Sequence, residues 1–362
     1  MFAKLWEYLY RLPLAVIKKN MKKIRILSLD GGGIRGILPG IVLTQIEKKL
    51  QKKTKDPNIK LSDMFDFMAG TSTGGILALA YLTPNEENRP KLTAQEAVNI
   101  YLDRGDKIFD VSNWQKIKSL NGLADEKYNA SELEEALEDT FGELKLSNLL
   151  KPCIISSYDI KNGKPHFFKQ QKSNNDTYNF KIKDVARATS AAPTYFETAR
   201  VKNDLGTFYP LIDGGVFVNN PSLVAYSEVR SMTFENMENF PSAKNMMIVS
   251  IGTGSVSIGY DYNKAKDWGA IGWIKPIIEI MMSGNSKTVH HHLKQIFGTL
   301  EAQDQKDYHR LEPTIVTADT KMDNGSIDNL QKLKEDGLSY ISIESIDKEL
   351  DEIVEKLIKY QN

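Results

Sequence analysis

One cysteine, Cys153, occurs in 362 residues. It cannot form an internal disulfide, which excludes a small disulfide-stapled fold and fits a reducing compartment. Cys153 follows Pro152 and enters the strand-like run "IISSY", so it reads as a buried structural thiol. Histidines number five: His166, His290, His291, His292 and His309. Neither sign of charge prevails, with 47 Lys+Arg against 47 Asp+Glu. No global field therefore draws the chain to nucleic acid or an anionic membrane, and any such patch has to be local. Low-complexity blocks and repeats are absent, and so is an apolar run long enough to span a bilayer. The stretch "MFAKLWEYLYRLPLAVIKKNMKK" comes nearest, with Phe2, Leu5, Trp6, Leu9 and Leu12 at roughly helical spacing. Glu7 and Arg11 interrupt it, and no small-residue cleavage site follows. Residues 1–21 read as an amphipathic extension packed on the domain, with an interfacial helix as the alternative. The expected location is cytoplasmic, with transient contact at a membrane surface.

Hydrophobic content of 41% and charged content of 26% are those of a folded globular chain. "KIRILSL" (23–29) and "MFDFMAG" (64–70) read as buried strands, each followed by a helical pattern, "GILPGIVLTQIEKKLQ" and "GGILALAYL". Residues 93–150 read as mainly helical, with a capping box from Ser131 to Glu134. "PCIISSYDI" and "KPHFFKQ" read as strands paired across a turn at Lys161, Asn162 and Gly163. "KIKDVARATSAAPTYF" predicts a helix ended by Pro193. "TFYPLIDGG" and "NMMIVSIGTG" are further strands running into glycine turns, and the last forty residues are helical and charged. Strands alternating with helices predict an α/β fold with a mixed, mostly parallel sheet covered on both faces. Ligands of such sheets bind beyond the carboxyl ends of the strands. No linker is visible, so we read one domain over 22–340 with a C-terminal helix, 341–362, packed on it.

The strongest chemical signal is "AGTSTGG". Gly70-x-Ser72-x-Gly74 between a strand and a helix is a nucleophile elbow, whose tight turn needs small residues beside the serine. A serine hydroxyl needs a base. The late histidines follow in α/β-hydrolase order, but "TVHHHLKQIF" reads as a helix, where consecutive side chains diverge. Asp213 is the better candidate, because it ends an apolar strand and precedes two glycines. The other glycine cluster, "LDGGGIRG", fits a dinucleotide fingerprint at Gly31, Gly33 and Gly36. The acidic residue expected about twenty positions on, at a strand end, is missing from "LQKKTKDPNIK". No Lys-Ser or Lys-Thr follows the last glycine either. What remains is a row of backbone N–H groups at a helix start with Arg35 beside it, a nest suited to an oxyanion.

"DGGGIRG" (30–36), "GTSTGG" (70–75), "AAP" (191–193) and "DGG" (213–215) stand in the order and spacing of the patatin-like lipid acyl hydrolases. "TPNEENRP", "SIGTG", "DWGAIGWI" and "KMDNGSIDNLQKL" extend this resemblance to plant patatins over about residues 22 to 340. It implies a three-layer α/β/α sandwich and a Ser–Asp dyad. Ser72 would be the nucleophile and Asp213 the base, with Gly70 and Gly74 shaping the elbow. The amides of Gly31, Gly32 and Gly33 would form the oxyanion hole, with Arg35 beside it. The implied activity is phospholipase A-type or broader ester hydrolysis through an acyl-enzyme, on a phospholipid or other acyl-ester lipid. The residues 1–21 fall outside the match, and "VFVNNP" looks more like bacterial members than plant ones. Neither metal-ligand spacing nor a calcium loop is seen, so no cofactor and calcium-independent activity are expected. Trp114, in the irregular stretch 107–128, is the candidate lipid contact. Two other readings stay open: a non-catalytic lipid-binding or regulatory protein, and a Ser–His–Asp esterase using a late histidine.

Overall fold

The computed structural model describes residues 22–109, 128–235, 237, 239–254 and 259–361. The extension 1–21 and Trp114 lie outside them. β1 (Ile24–Leu29) is buried at every position, as a parallel strand covered on both faces must be. It pairs in parallel with β2 (Phe67–Thr71) on one edge and β7 (Met246–Ile251) on the other. β3 (Cys153–Asp159) continues the parallel array beyond β2, and β8 (Tyr308–Leu311) does so beyond β7. At β3 the sense changes. β4 (Lys164–Lys169) returns antiparallel across a turn in which Gly163 takes φ 61°. β6 (Phe208–Asp213) is also antiparallel to β3, and β5 (Ala199–Lys202) pairs with β6. The mixed, mostly parallel α/β sheet expected from the alternation of elements is the one observed.

The register at β3 decides where the chemistry falls. β4 occupies one edge of β3 from Ile154 to Asp159. Its other edge is shared, with β2 paired to Cys153–Ser156 and β6 to Ser157–Asp159. The carboxyl ends of β2 and β6 therefore meet head to head at Ser156 and Ser157.

Helices cover both faces. α1 (Ile37–Thr54), α2 (Thr73–Leu82), α3 (Ala94–Ile108), α4 (Ser131–Phe141) and α5 (Ile182–Thr189) pack on the side of Leu27, Leu29 and Ile155. α6 (Ser222–Val229) and α7 (Gly269–Gly298) pack on the side of Ile24, Ile26 and Ile154, the opposite face by strand alternation. α8 (Ile327–Ile341) and α9 (Glu344–Lys359) return to the first side, where α9 buries Leu350, Ile353, Val354 and Leu357. α2 is buried along its whole length, which explains why its sequence is apolar nearly all round.

Two local expectations are corrected. Ser131 is not a helix cap: it is the first residue of α4, and the Asn129 side chain accepts its N–H at 2.9 Å. A reciprocal capping box is found at Thr93 and Glu96, ahead of α3. α5 ends at Thr189 rather than at Pro193, because the segment Ser190–Ala192 leaves the helix to reach the end of β6.

Candidate active site

Ser72 sits between β2 and α2 at φ 54°, ψ −126°, a conformation that costs a non-glycine residue about 1–3 kcal/mol and needs surrounding structure to hold it. The two glycines are what permit it. A Cβ at Gly70 would lie 2.5 Å from the Gly75 Cα, and one at Gly74 would lie 2.3 Å from the Leu29 carbonyl oxygen. The Ser72 N–H donates to Thr189 Oγ1 at 2.8 Å, and that hydroxyl donates to the Ser156 carbonyl at 2.6 Å. Thr189 thus ties the elbow to β3 at the head-to-head junction.

Asp213 comes to Ser72 across that junction. It pairs with Ser157 on β3, one residue beyond the partner of Thr71. Its N–H donates to the Ala191 carbonyl at 2.9 Å, which gives the "AAP" segment a role in seating it. The buried carboxylate accepts the Gly215 N–H at 2.7 Å, and the Ser72 hydroxyl stands near enough to act on its ionisation. Burial raises its pKa to about 7, against the smaller opposing effects of the Ser72 hydroxyl and the Gly215 N–H. An ordinary carboxylate is too weak a base for a serine; one near 7 is matched to neutral pH.

The glycine loop is used unevenly. The Gly31 N–H donates to the Asn219 carbonyl at 3.1 Å, and its own carbonyl accepts Thr253 Oγ1 at 2.7 Å. The Gly31 amide is thus already bonded in this arrangement, unlike those of the next two glycines. The N–H groups of Gly32 and Gly33 have no partner among the described residues. Gly33 lines the same cleft as Ser72. It takes φ +58°, and a Cβ there would lie 2.2 Å from the Met322 carbonyl oxygen. Arg35 lies beside this loop. Its Nε approaches the Gly32 carbonyl at 3.4 Å, and it lines a neighbouring polar cavity rather than the Ser72 cleft. It is tied to the loop through the Gly32 carbonyl.

The cleft is walled by side chains such as Ile76, Phe109, Leu137, Phe196, Ile278 and Met282. A mostly apolar cavity with a few convergent polar groups suits an acyl chain ending at a reactive carbonyl. A family model described as patatin-like phospholipase matches residues 27–226. The chain belongs to the patatin-like phospholipase family. It is 35% identical over 331 residues to patatin-like protein 4 of Arabidopsis thaliana, covering 87% of this chain and 82% of that one. It is 34% identical over 363 residues to patatin-like protein 2 of Oryza sativa subsp. indica, covering 92% and 86%. A Solanum tuberosum protein named probable inactive patatin-3-Kuras 1 is 32% identical over 321 residues, covering 85% and 83%. Lipid acyl hydrolysis is thus supported at the level of the family.

Several parts of this patatin-like site lie beyond the matched segment. Arg310 on β8 donates to both Asp30 carboxylate oxygens, at 2.9 and 2.7 Å, and Ser286 on α7 donates to one of them at 3.0 Å. Asp30 begins the glycine loop, so this buried pair anchors its first residue. Thr189, Asn219, Thr253 and Arg310 were not singled out in the sequence. Only the paired asparagines of "VFVNNP" offered a signal, as side chains suited to satisfying loop backbone.

No histidine lines the Ser72 cleft. His166 packs against the ring of Phe168, centroids 4.5 Å apart, and His290 Nδ1 meets the Tyr308 hydroxyl at 3.0 Å in the polar cavity. His309 lies 3.3 Å from Glu349, and His291 and His292 are exposed on α7. The triad alternative therefore has no geometric support. Among the described residues, no group of His, Cys, Asp and Glu is placed to hold a metal ion, and no helix is long and apolar enough to cross a membrane.

Proposed function

We propose that this protein is a serine lipid acyl hydrolase of the phospholipase A type, working through a Ser72–Asp213 dyad. Asp213 takes the hydroxyl proton as Ser72 Oγ attacks an ester carbonyl. The amides of Gly32 and Gly33 receive the developing oxyanion. Asp213 then returns the proton to the departing alcohol or lysolipid, and the acyl-enzyme is hydrolysed by water that Asp213 activates. A carboxylate base favours esters, whose leaving groups need less help than an amine. The observation that carries this reading is a buried carboxylate, held by the Gly215 N–H, that shares the wall of an apolar cleft with Ser72. A chromogenic short-chain ester tests it. Ser72→Ala should lose activity by at least about a thousandfold, since a residual rate from binding and the oxyanion hole survives loss of a nucleophile. Wild-type turnover in Ser72→Ala would reject the nucleophile. A wild type without turnover would instead support the non-catalytic reading, to which the name of the potato relative gives weight.

The substrate has to reach the cleft from a lipid surface. α7 carries Ile278 and Met282 in the cleft wall, while Trp273, Ile277, Ile280 and Met281 form an exposed apolar row on its other side. Such a row beside a lipid-accepting cleft suits interfacial contact, and Trp114 remains a second candidate. Replacing Trp273 and Ile277 together by Ser should lower turnover on phospholipid vesicles by roughly tenfold, the worth of about 1.4 kcal/mol of lost apolar burial. A soluble short-chain ester should be affected far less. Equal losses on both substrates would remove the interfacial role.

A further inference from the structure

The loop that follows Asp213 has no strand to satisfy its backbone, yet three of its polar groups end on one side chain. Asn285 Nδ2 donates to the Phe217 carbonyl at 2.9 Å. Asn285 Oδ1 accepts the N–H of Asn219 at 2.9 Å and of Asn220 at 3.1 Å. These partners fix the amide's orientation, because a flipped carboxamide would set donors against donors. Asn285 stands on α7, outside the segment matched by the family model.

The loop held this way touches every working part of the site. The Val218 carbonyl accepts Thr71 Oγ1 at 2.7 Å, next to the nucleophile. The Asn219 carbonyl takes the Gly31 N–H at 3.1 Å, and Asn219 Nδ2 approaches the Gly31 carbonyl at 3.4 Å. The N–H groups of Phe217 and Val218 donate to the Gly214 carbonyl at 3.1 and 2.9 Å, directly after the base. We propose that Asn285 is a positioning residue, whose carboxamide holds the 217–220 loop and through it aligns Ser72, Asp213 and the glycine loop. This rests on the Ser72–Asp213 reading of the site. Asparagine suits the position because one group must both donate and accept. Alanine can do neither, and aspartate can only accept.

The test is turnover of a soluble short-chain ester by the full chain, per serine titrated with a fluorophosphonate, across pH. Asn285→Ala should lower kcat by roughly ten- to a hundredfold with KM changed much less, since small misplacement of catalytic groups costs rate more than binding. Its acid-side midpoint should move down, because a loosened loop admits water to Asp213. The groups acting on Asp213 are the Ser72 hydroxyl from the elbow and the Gly215 N–H in its own turn, and no charged side chain among the described residues contributes. Asn285→Asp keeps the two acceptor bonds, loses the one to the Phe217 carbonyl, and adds a negative charge near the site. Its midpoint should move up. Opposite shifts are what a purely structural residue would not produce. An unchanged kcat per titrated serine with unmoved midpoints in both variants overturns the proposal, as does a loss confined to melting temperature. With Ser72→Ala assayed in parallel, an inactive control beside unaffected Asn285 variants rejects the clamp alone. An active control rejects the dyad and the clamp with it.

Discussion

Asp213→Asn should lose about 10²–10⁴-fold in kcat/KM on a short-chain ester and yet be more stable than wild type at pH 8. The substitution preserves shape. An asparagine Oδ1 can still accept the Gly215 N–H, a bond of 2.7 Å in the native site, while its Nδ2 would donate to Ser72 Oγ instead of accepting its proton. The stability gain follows from linkage. Burial raises the Asp213 pKa from 3.8 to about 7, so between those values the folded chain holds a proton that the unfolded chain has lost. Where the folded state binds more protons, stability falls as pH rises. The penalty is absent below the unfolded pKa, grows through that window and is complete above about pH 7. Asparagine carries no charge and escapes it. The variant's advantage in melting temperature should therefore be present at pH 8 and shrink towards pH 4. The same ionisation governs activity, because only the carboxylate can take the serine proton. Wild-type kcat/KM should rise with pH around a midpoint near 7. A rate flat from pH 5 to pH 8, or a variant no more stable at alkaline pH, would count against Asp213 as a buried base.

The second large effect is expected at Gly33. Gly33→Ala should cost about a hundredfold or more in kcat, the worth of roughly 3 kcal/mol from one oxyanion donor. Two constraints act together. The residue sits at φ +58°, where a Cβ is disfavoured, and that Cβ would lie 2.2 Å from a backbone oxygen, that of Met322. Neither is relieved by a side-chain rotation, so the loop has to shift and take its free amides with it. Gly31→Ala is the internal comparison. Its Cβ would meet the Asn219 Oδ1 at 2.5 Å, a side-chain atom, and its amide is already spent on the Asn219 carbonyl. Gly31→Ala should therefore lose clearly less rate than Gly33→Ala, with both compared at matched folded fractions by thermal melt. Equal losses would return the Gly31 amide to the oxyanion hole.

The elbow at Ser72 was legible because its causes are local. A serine at a strand-to-helix turn with glycines two positions either side is a steric statement about five consecutive residues. The strands β1, β2 and β7 were legible for the same reason, as apolar runs that only a covered parallel sheet accommodates. Ser131 shows where locality ends. Its capping pattern was present, but Asn129 reached the backbone first. Arg35 shows it again, since charge and position suggested the oxyanion hole, while the cavity it lines was set by the fold.

From the sequence alone came the candidates for reaction: a serine at a strand-to-helix turn, a carboxylate at a strand end, and a run of backbone amides. Tertiary structure decided that they meet. Ser72 and Asp213 lie 141 positions apart, and nothing in either segment dictates that β6 runs antiparallel and shares an edge of β3 with β2. The same holds for the glycine loop, where a carbonyl 188 residues away takes the amide of Gly31. Pattern and propensity act over a turn of chain; register and hydrogen-bond competition are settled only when distant strands pack.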